Sequence, residues 1–193
     1  MRIIAGQLKG LRLEGPPQRE KARPTADKTK ESLFNILGPI SSGTVVLDAF
    51  AGTGQIGLEF LSRGAGFCVF SEKSRGMFQV LQQNVQKAHL EASSEIFFGD
   101  VRKNIARAKH RFDYVYLDPP FHYHWEQPIM EYLRRLKKLR EGALVILECA
   151  PDEEVTASLE GYREVFCRKY HGQTIQIFRY GEEQEEERGD ENE

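Results

Sequence analysis

The 193-residue chain is predicted to form an α/β fold, an open and mostly parallel sheet with helices on both faces, and three features of the sequence predict it. Apolar strand-like runs alternate with helical patterns, which is how parallel strands are linked. A glycine-rich loop, DAFAGTGQIG at 48–57, follows the first of these runs. Two strand-like runs at the C-terminal end stand too close together for a crossover helix, so they read as an antiparallel hairpin closing the sheet. With 40% hydrophobic residues, one main domain with a substantial core is expected.

The elements follow in order. ADKTKESLFNIL at 26–37 reads as a helix, with Thr25 as its cap, Asp27 in its first turn and Gly38-Pro39 stopping it. Strand-like runs fall at 44–49, 67–72, 95–98, 112–118 and 143–149. Between them, 74–88 places Met77, Leu81, Val85 and Ala88 on one helical face, and 125–139 does the same with Ile129, Leu133 and Leu136. YREVFCRKY and TIQIFRY, separated by His171-Gly172-Gln173, supply the hairpin and bring the expected sheet to seven strands.

Charge is distributed unevenly. Residues 1–30 hold eight Lys/Arg against three Asp/Glu, whereas the last thirteen hold eight acids against Arg188. A basic arm over 1–22, a main domain over 23–180 and an acidic, disordered tail over 181–193 are the expected divisions. Such an arm suits nucleic-acid phosphates, although a solvated face would have the same composition. Cys68, Cys149 and Cys167 stand singly, as expected of reduced core thiols, and His122 and His124 lack a third ligand, so no metal site is expected. No run is long enough to span a bilayer, so a soluble, cytoplasmic protein is expected.

The glycine loop should lie at the carboxyl end of the first strand, where open α/β sheets bind ligands. Gly52, Gly54 and Gly57 form a literal GxGxxG, and Glu72 after the second strand can accept hydrogen bonds from a ribose. A dinucleotide and S-adenosylmethionine both fit these features. Asp48 at the strand end opposes a pyrophosphate but suits an ammonium or sulfonium charge. DPPF at 118–121, after the fourth strand, puts Asp118 at the same sheet edge. Taken alone, Asp-Pro-Pro is also ordinary turn material.

Together, AGTG after the first strand, Glu72 after the second, Gly99-Asp100 after the third and DPPF after the fourth resemble class I S-adenosylmethionine-dependent methyltransferases acting on exocyclic amines. More narrowly, MRIIAGQLKG, RPTADKTKESLFNIL, LDAFAGTGQIGLE and LDPPF resemble the RsmD family, which methylates the N2 amine of one guanine in bacterial 16S ribosomal RNA. The resemblance implies a Rossmann-like class I methyltransferase fold with S-adenosyl-L-methionine as cofactor. It places Asp48, Gly52 and Gly54 at the methionine moiety, with Phe50 among the cofactor-binding residues. Glu72 falls at the ribose and Asp100 at the adenine amine, with Val101 donating from its backbone. Arg23, Pro24 and Thr25 would close the methionine end, while Asp118, Pro119, Pro120 and Phe121 would hold the target base. Arg2, Lys9, Arg12, Arg19 and Lys21 are the expected RNA contacts, and Tyr123 and Trp125 extend the stacking surface or, for Trp125, belong to the core. The expected partner is 16S RNA within the 30S subunit or an assembly intermediate, bound by a monomer. The acidic tail, and His122 and His124 where relatives carry basic residues, depart from the family pattern.

Other readings are DNA adenine methylation, weakened by the RPT segment and the lack of a target-recognition domain, and protein glutamine methylation, which calls for Asn-Pro-Pro. A nicotinamide oxidoreductase is opposed by Asp48 and DPPF. A non-catalytic RNA-binding module is opposed by the intact acidic and aromatic site residues.

Overall fold

The computed structural model describes residues 1–18, 27–120, 123–151, 159–170 and 172–181. Arg19, Lys21, Arg23, Pro24, Thr25, Phe121, His122 and the tail from 182 onward therefore lie outside the described residues.

Seven strands form one sheet: β1 (Val45–Asp48), β2 (Phe67–Glu72), β3 (Ser94–Phe98), β4 (Phe112–Leu117), β5 (Leu139–Cys149), β6 (Tyr162–Tyr170) and β7 (Gln173–Tyr180). Their spatial order is β3-β2-β1-β4-β5-β7-β6, with β1 to β5 parallel and β7 antiparallel to both neighbours. Period-two alternation sends side chains to two cores. On one face, Val46, Tyr116 and Ile146 pack under α1 (Asp27–Leu37), α2 (Gln55–Ser62) and α3 (Arg75–Lys87). On the other, Leu47, Val115, Leu117 and Val145 pack under α4 (Val101–Arg107) and α5 (Glu126–Arg135).

Local chemistry fixes the element ends. Ser74 caps α3 by accepting from the Met77 amide at 3.3 Å, and the expected Met77–Leu81–Val85–Ala88 face is buried. Gly38 closes α1 with a φ of 71°, its N–H donating to the Phe34 carbonyl. All eight residues of α2 are buried, so this helix is enclosed by the sheet and the N-terminal segment rather than lying on the surface.

Three expectations need correction. The helix at 125–139 stops at Arg135, because Lys137 turns at a φ of 52° and Leu139 already pairs with Phe112, so β5 begins four residues early through an irregularity in its ladder. A helix not anticipated, α4, covers 101–107, where only Val101, Asn104 and Ile105 are buried and no apolar stripe stands out. Cys167 is exposed, because β6 is an edge strand with little covering it, whereas Cys68 and Cys149 are core thiols.

The N-terminal segment is docked on the domain over its described length. Ile3 and Leu13 enter the core beside α1 and α2, and Arg2 pairs with Arg12 in an antiparallel bridge. The Glu59 carboxylate of α2 accepts the Ile4 and Ala5 N–H groups, both at 3.0 Å, and lies 3.6 Å from the fully buried Lys30 ammonium. Lys30 in turn donates to the Arg2 carbonyl at 2.6 Å. No described helix is long and apolar enough to cross a membrane.

Candidate active site

The strand order reverses between β1 and β4, since the chain builds outward to β3 on one side and to β5 on the other. That reversal opens a crevice at the carboxyl ends of β1 and β4, bordered by the glycine loop and by Asp118-Pro119-Pro120.

The three glycines have separate tasks. Gly57 lets α2 lie on β2, because a Cβ there would meet the Phe70 ring at 2.2 Å and the Cys68 sulfur at 2.8 Å. Gly54 turns into α2 at a φ of 83°, with Leu81 2.4 Å from where its Cβ would lie. Gly52 also has positive φ, at 55°, but its missing side chain would meet nothing within 4 Å, so its backbone is open to a ligand. Phe50 of the same loop is half-buried against the α4–α5 core.

Acidic groups anchor the loop. The Glu72 carboxylate accepts the Gly52 N–H at 2.7 Å and the Ser74 N–H at 2.6 Å. Buried Asp48 accepts the Gly57 N–H at 2.9 Å. Asp100 caps α4 through one oxygen, accepting from Arg102 and Lys103, and Val101 opens that helix, where an amide has no intrahelical partner. Asn104, not singled out by the sequence, holds this loop by donating to the Ser71 hydroxyl and to the Phe97 and Gly99 carbonyls.

The crevice is strongly acidic. Burial, then repulsion by Glu72, raises Asp48 from 3.8 to about 7 against the opposing Gly57 bond. Burial first, and then Glu148, Asp48 and Glu126, push half-buried Asp118 well above the usual carboxylate range. Among the described residues, the charged groups acting on these two side chains are acids: Glu72, Glu148, Asp48 and Glu126. Such a site favours a cation and repels a pyrophosphate. Glu148 and Tyr116, which the sequence reading did not single out, complete it, with the buried Tyr116 hydroxyl donating to Glu148. Their pairing joins residues 32 positions apart on neighbouring strands, and the only sequence signal was a lone acid in an apolar run.

Away from the crevice, Arg2, Lys9 and Arg12 are exposed on the docked N-terminal segment, with Arg2 2.9 Å from Asp27. The segment reaches the glycine loop through Asn84 of α3, whose amide donates to the Glu14 and Thr53 carbonyls and whose oxygen accepts the Glu14 N–H. Tyr123 is exposed, while Trp125 packs partly into the core with Arg102 over its ring.

Comparison with known proteins agrees with this arrangement. The family model described as Conserved hypothetical protein 95 matches residues 1–179. The chain belongs to that family. It is the RsmD family of the sequence resemblance. The Ribosomal RNA small subunit methyltransferase D of Haemophilus influenzae is 36% identical over 157 residues, covering 79% of this chain and 80% of the relative. Its Escherichia coli K12 counterpart is 34% identical over 149 residues, covering 77% and 74%. A solved RNA methyltransferase from Salinibacter ruber, in complex with S-adenosyl-L-homocysteine, shares the fold with a TM-score of 0.62 at 19% identity, covering 83% of this chain and 95% of that one. The RsmD-family chain thus has the Rossmann-like methyltransferase fold, with a mostly parallel sheet ended by an antiparallel hairpin.

Proposed function

We propose that this RsmD-family protein transfers a methyl group from S-adenosyl-L-methionine to the exocyclic N2 amine of a guanine in 16S ribosomal RNA. The observation that carries this reading is the acidic crevice at the switch point, where Asp48 ends β1, Asp118 follows β4, Glu148 lies on neighbouring β5, and the loop after β1 leaves the Gly52 backbone open. The relatives' names supply the substrate class, and the Salinibacter ruber complex supplies the cofactor class.

S-adenosylmethionine supplies an electrophilic methyl on a sulfonium; everything else falls to the chain. Gly52 and Gly54 give the methionine portion close backbone approach, and Asp48 balances its positive charge. Phe50 borders the same loop. Glu72 accepts from the ribose hydroxyls while keeping its hold on the loop, and Asp100 with Val101 reads the adenine edge. Arg23 and Thr25 close over the methionine end.

A guanine N2 amine is a poor nucleophile, since its lone pair is delocalised into the ring. The Asp118 carboxylate and the Pro119 carbonyl accept its two N–H bonds, favouring a pyramidal nitrogen, and both contacts strengthen as that nitrogen gains positive charge. Pro119 and Pro120 stiffen the loop and free carbonyls from competing N–H groups. Phe121 stacks on the base, worth roughly 1–3 kcal/mol by analogy with single-stranded binding. Alignment of sulfonium, methyl and nitrogen supplies up to about 7–11 kcal/mol, so a strong base is unnecessary.

The target amine lies within a base pair, so its base must come from a loop or be flipped out. Exposed Arg2, Lys9 and Arg12, with Arg19 and Lys21, grip the backbone phosphates. The working form is a cytoplasmic monomer acting on the 30S subunit or an assembly intermediate, with residues 1–22 as the basic RNA segment, 23–180 as the methyltransferase domain and 181–193 as the acidic tail. Incubation with labelled S-adenosylmethionine and unmethylated small subunits, followed by nucleoside digestion, tests the reading. N2-methylguanosine is expected, and label on a different nucleoside would overturn it.

A further inference from the structure

Glu148 is buried, ionisable and has no part in holding cofactor or base in the mechanism above. We propose that Glu148 is a positioning residue of the methyl-transfer site: it and Asp118 form a carboxyl pair that shares one proton in the cofactor-free enzyme and releases it to solvent when the S-adenosylmethionine cation enters. This rests on the proposed function.

The geometry comes from sheet register. Tyr116 lies opposite Ile146 and Leu117 opposite Leu147, the last pair of this ladder, so Asp118, directly after β4, follows at the level of Glu148 on β5. Adjacent parallel strands are about 5 Å apart. Tyr116 and Ile146 belong to the core on the α2 side, and the alternation of the strands places Asp118 and Glu148 on that same face. Asp48, opposite Tyr116 on β1, extends the row. The Tyr116 hydroxyl donates to Glu148 and fixes that carboxyl within the row.

Among the described residues, the other groups facing the pair are Asp48 from β1, Glu126 from the start of α5 and Gln173 from β7, and none of these is basic. Two neighbouring carboxyls so surrounded retain a proton between them until a cation arrives. Burial raises both, and the Tyr116 hydroxyl, donating to Glu148, favours that carboxyl's ionised form. Entry of the cation then converts Asp118 to the ionised form that can accept from the target amine. Glu148 thereby keeps Asp118 neutral until cofactor is present.

Calorimetric titration of the full chain with S-adenosylmethionine at pH 7, in two buffers of different ionisation enthalpy, counts the protons released. The wild type is expected to release about one from the pair, with the release from Asp48 in addition. Glu148→Gln should still bind but release at least half a proton less, and the acidic limb of its kcat/KM profile should move to lower pH. Tyr116→Phe, which leaves both carboxyls in place, should keep the release. Wild-type binding without proton release, or full release from Glu148→Gln, would overturn the shared proton and leave the functional reading standing. Failure of the wild type to bind S-adenosylmethionine would overturn both.

Discussion

Asp48→Asn is expected to stabilise the cofactor-free protein at alkaline pH while weakening its hold on S-adenosylmethionine. Asp48 is buried, its carboxyl accepts one N–H from Gly57, and its nearest charged influence is the acid Glu72. Asparagine has the same shape and its amide oxygen can keep the Gly57 bond, so the substitution removes chiefly the buried charge. A carboxyl raised above its unfolded value binds more protons folded than unfolded. Its contribution to stability is therefore complete below about pH 4 and is lost as pH rises to about 7. The displacement from 3.8 to about 7, at about 1.36 kcal/mol per pH unit, corresponds to roughly 4 kcal/mol, of which about 3 kcal/mol develops above pH 5. Urea unfolding of both proteins at pH 5 and pH 8.5 reads this directly. The variant's advantage should be small at pH 5 and grow by about 3 kcal/mol at pH 8.5. An advantage that does not change with pH would refute the buried-charge reasoning, as would a variant less stable than wild type at both values.

Gly57→Ala should cost about 1–3 kcal/mol by driving a methyl into Phe70 and Cys68, read as a lower urea midpoint, and should weaken cofactor binding by tilting α2. Lys30→Met should cost about 1–3 kcal/mol, because the Arg2 carbonyl loses its donor and buried Glu59 loses one of two cationic partners, keeping Arg63 at 2.9 Å; thermal unfolding monitors it. Lys9→Ala with Arg12→Ala should lower the slope of log RNA affinity against log salt by roughly 1.4–1.8 while leaving cofactor affinity unchanged, and an unaltered slope would remove these residues from the interface.

The parallel sheet was legible because its strands are apolar runs separated by helical repeats, and β2, with its Glu72 end, fell where the pattern put it. The GxGxxG loop announced a ligand site, yet only the packing around it separates Gly57 and Gly54, which admit neighbouring side chains, from Gly52, which faces open space. Less local features escaped. The basic N-terminal segment reads as an arm because its anchors, Glu59 and Lys30, lie far along the chain and look like ordinary helical surface charges. Alternation of Ile3, Leu11 and Leu13 about the Gly10 turn was the available hint. Tyr116 and Glu148 form a diagonal pair across β4 and β5, a relation that appears only when register is known. The α4 helix went unseen because its inner face includes Asn104, whose amide serves the Gly99 loop.

The central claim is that Asp118 presents a guanine N2 amine to S-adenosylmethionine. Its most direct test is labelled-methyl transfer to 16S RNA in unmethylated small subunits by the wild type and by Asp118→Ala, each first shown to bind the cofactor. Label recovered as N2-methylguanosine with the wild type and lost with Asp118→Ala is the expected result. Equal labelling by the two proteins, or wild-type label on any other atom, would contradict it.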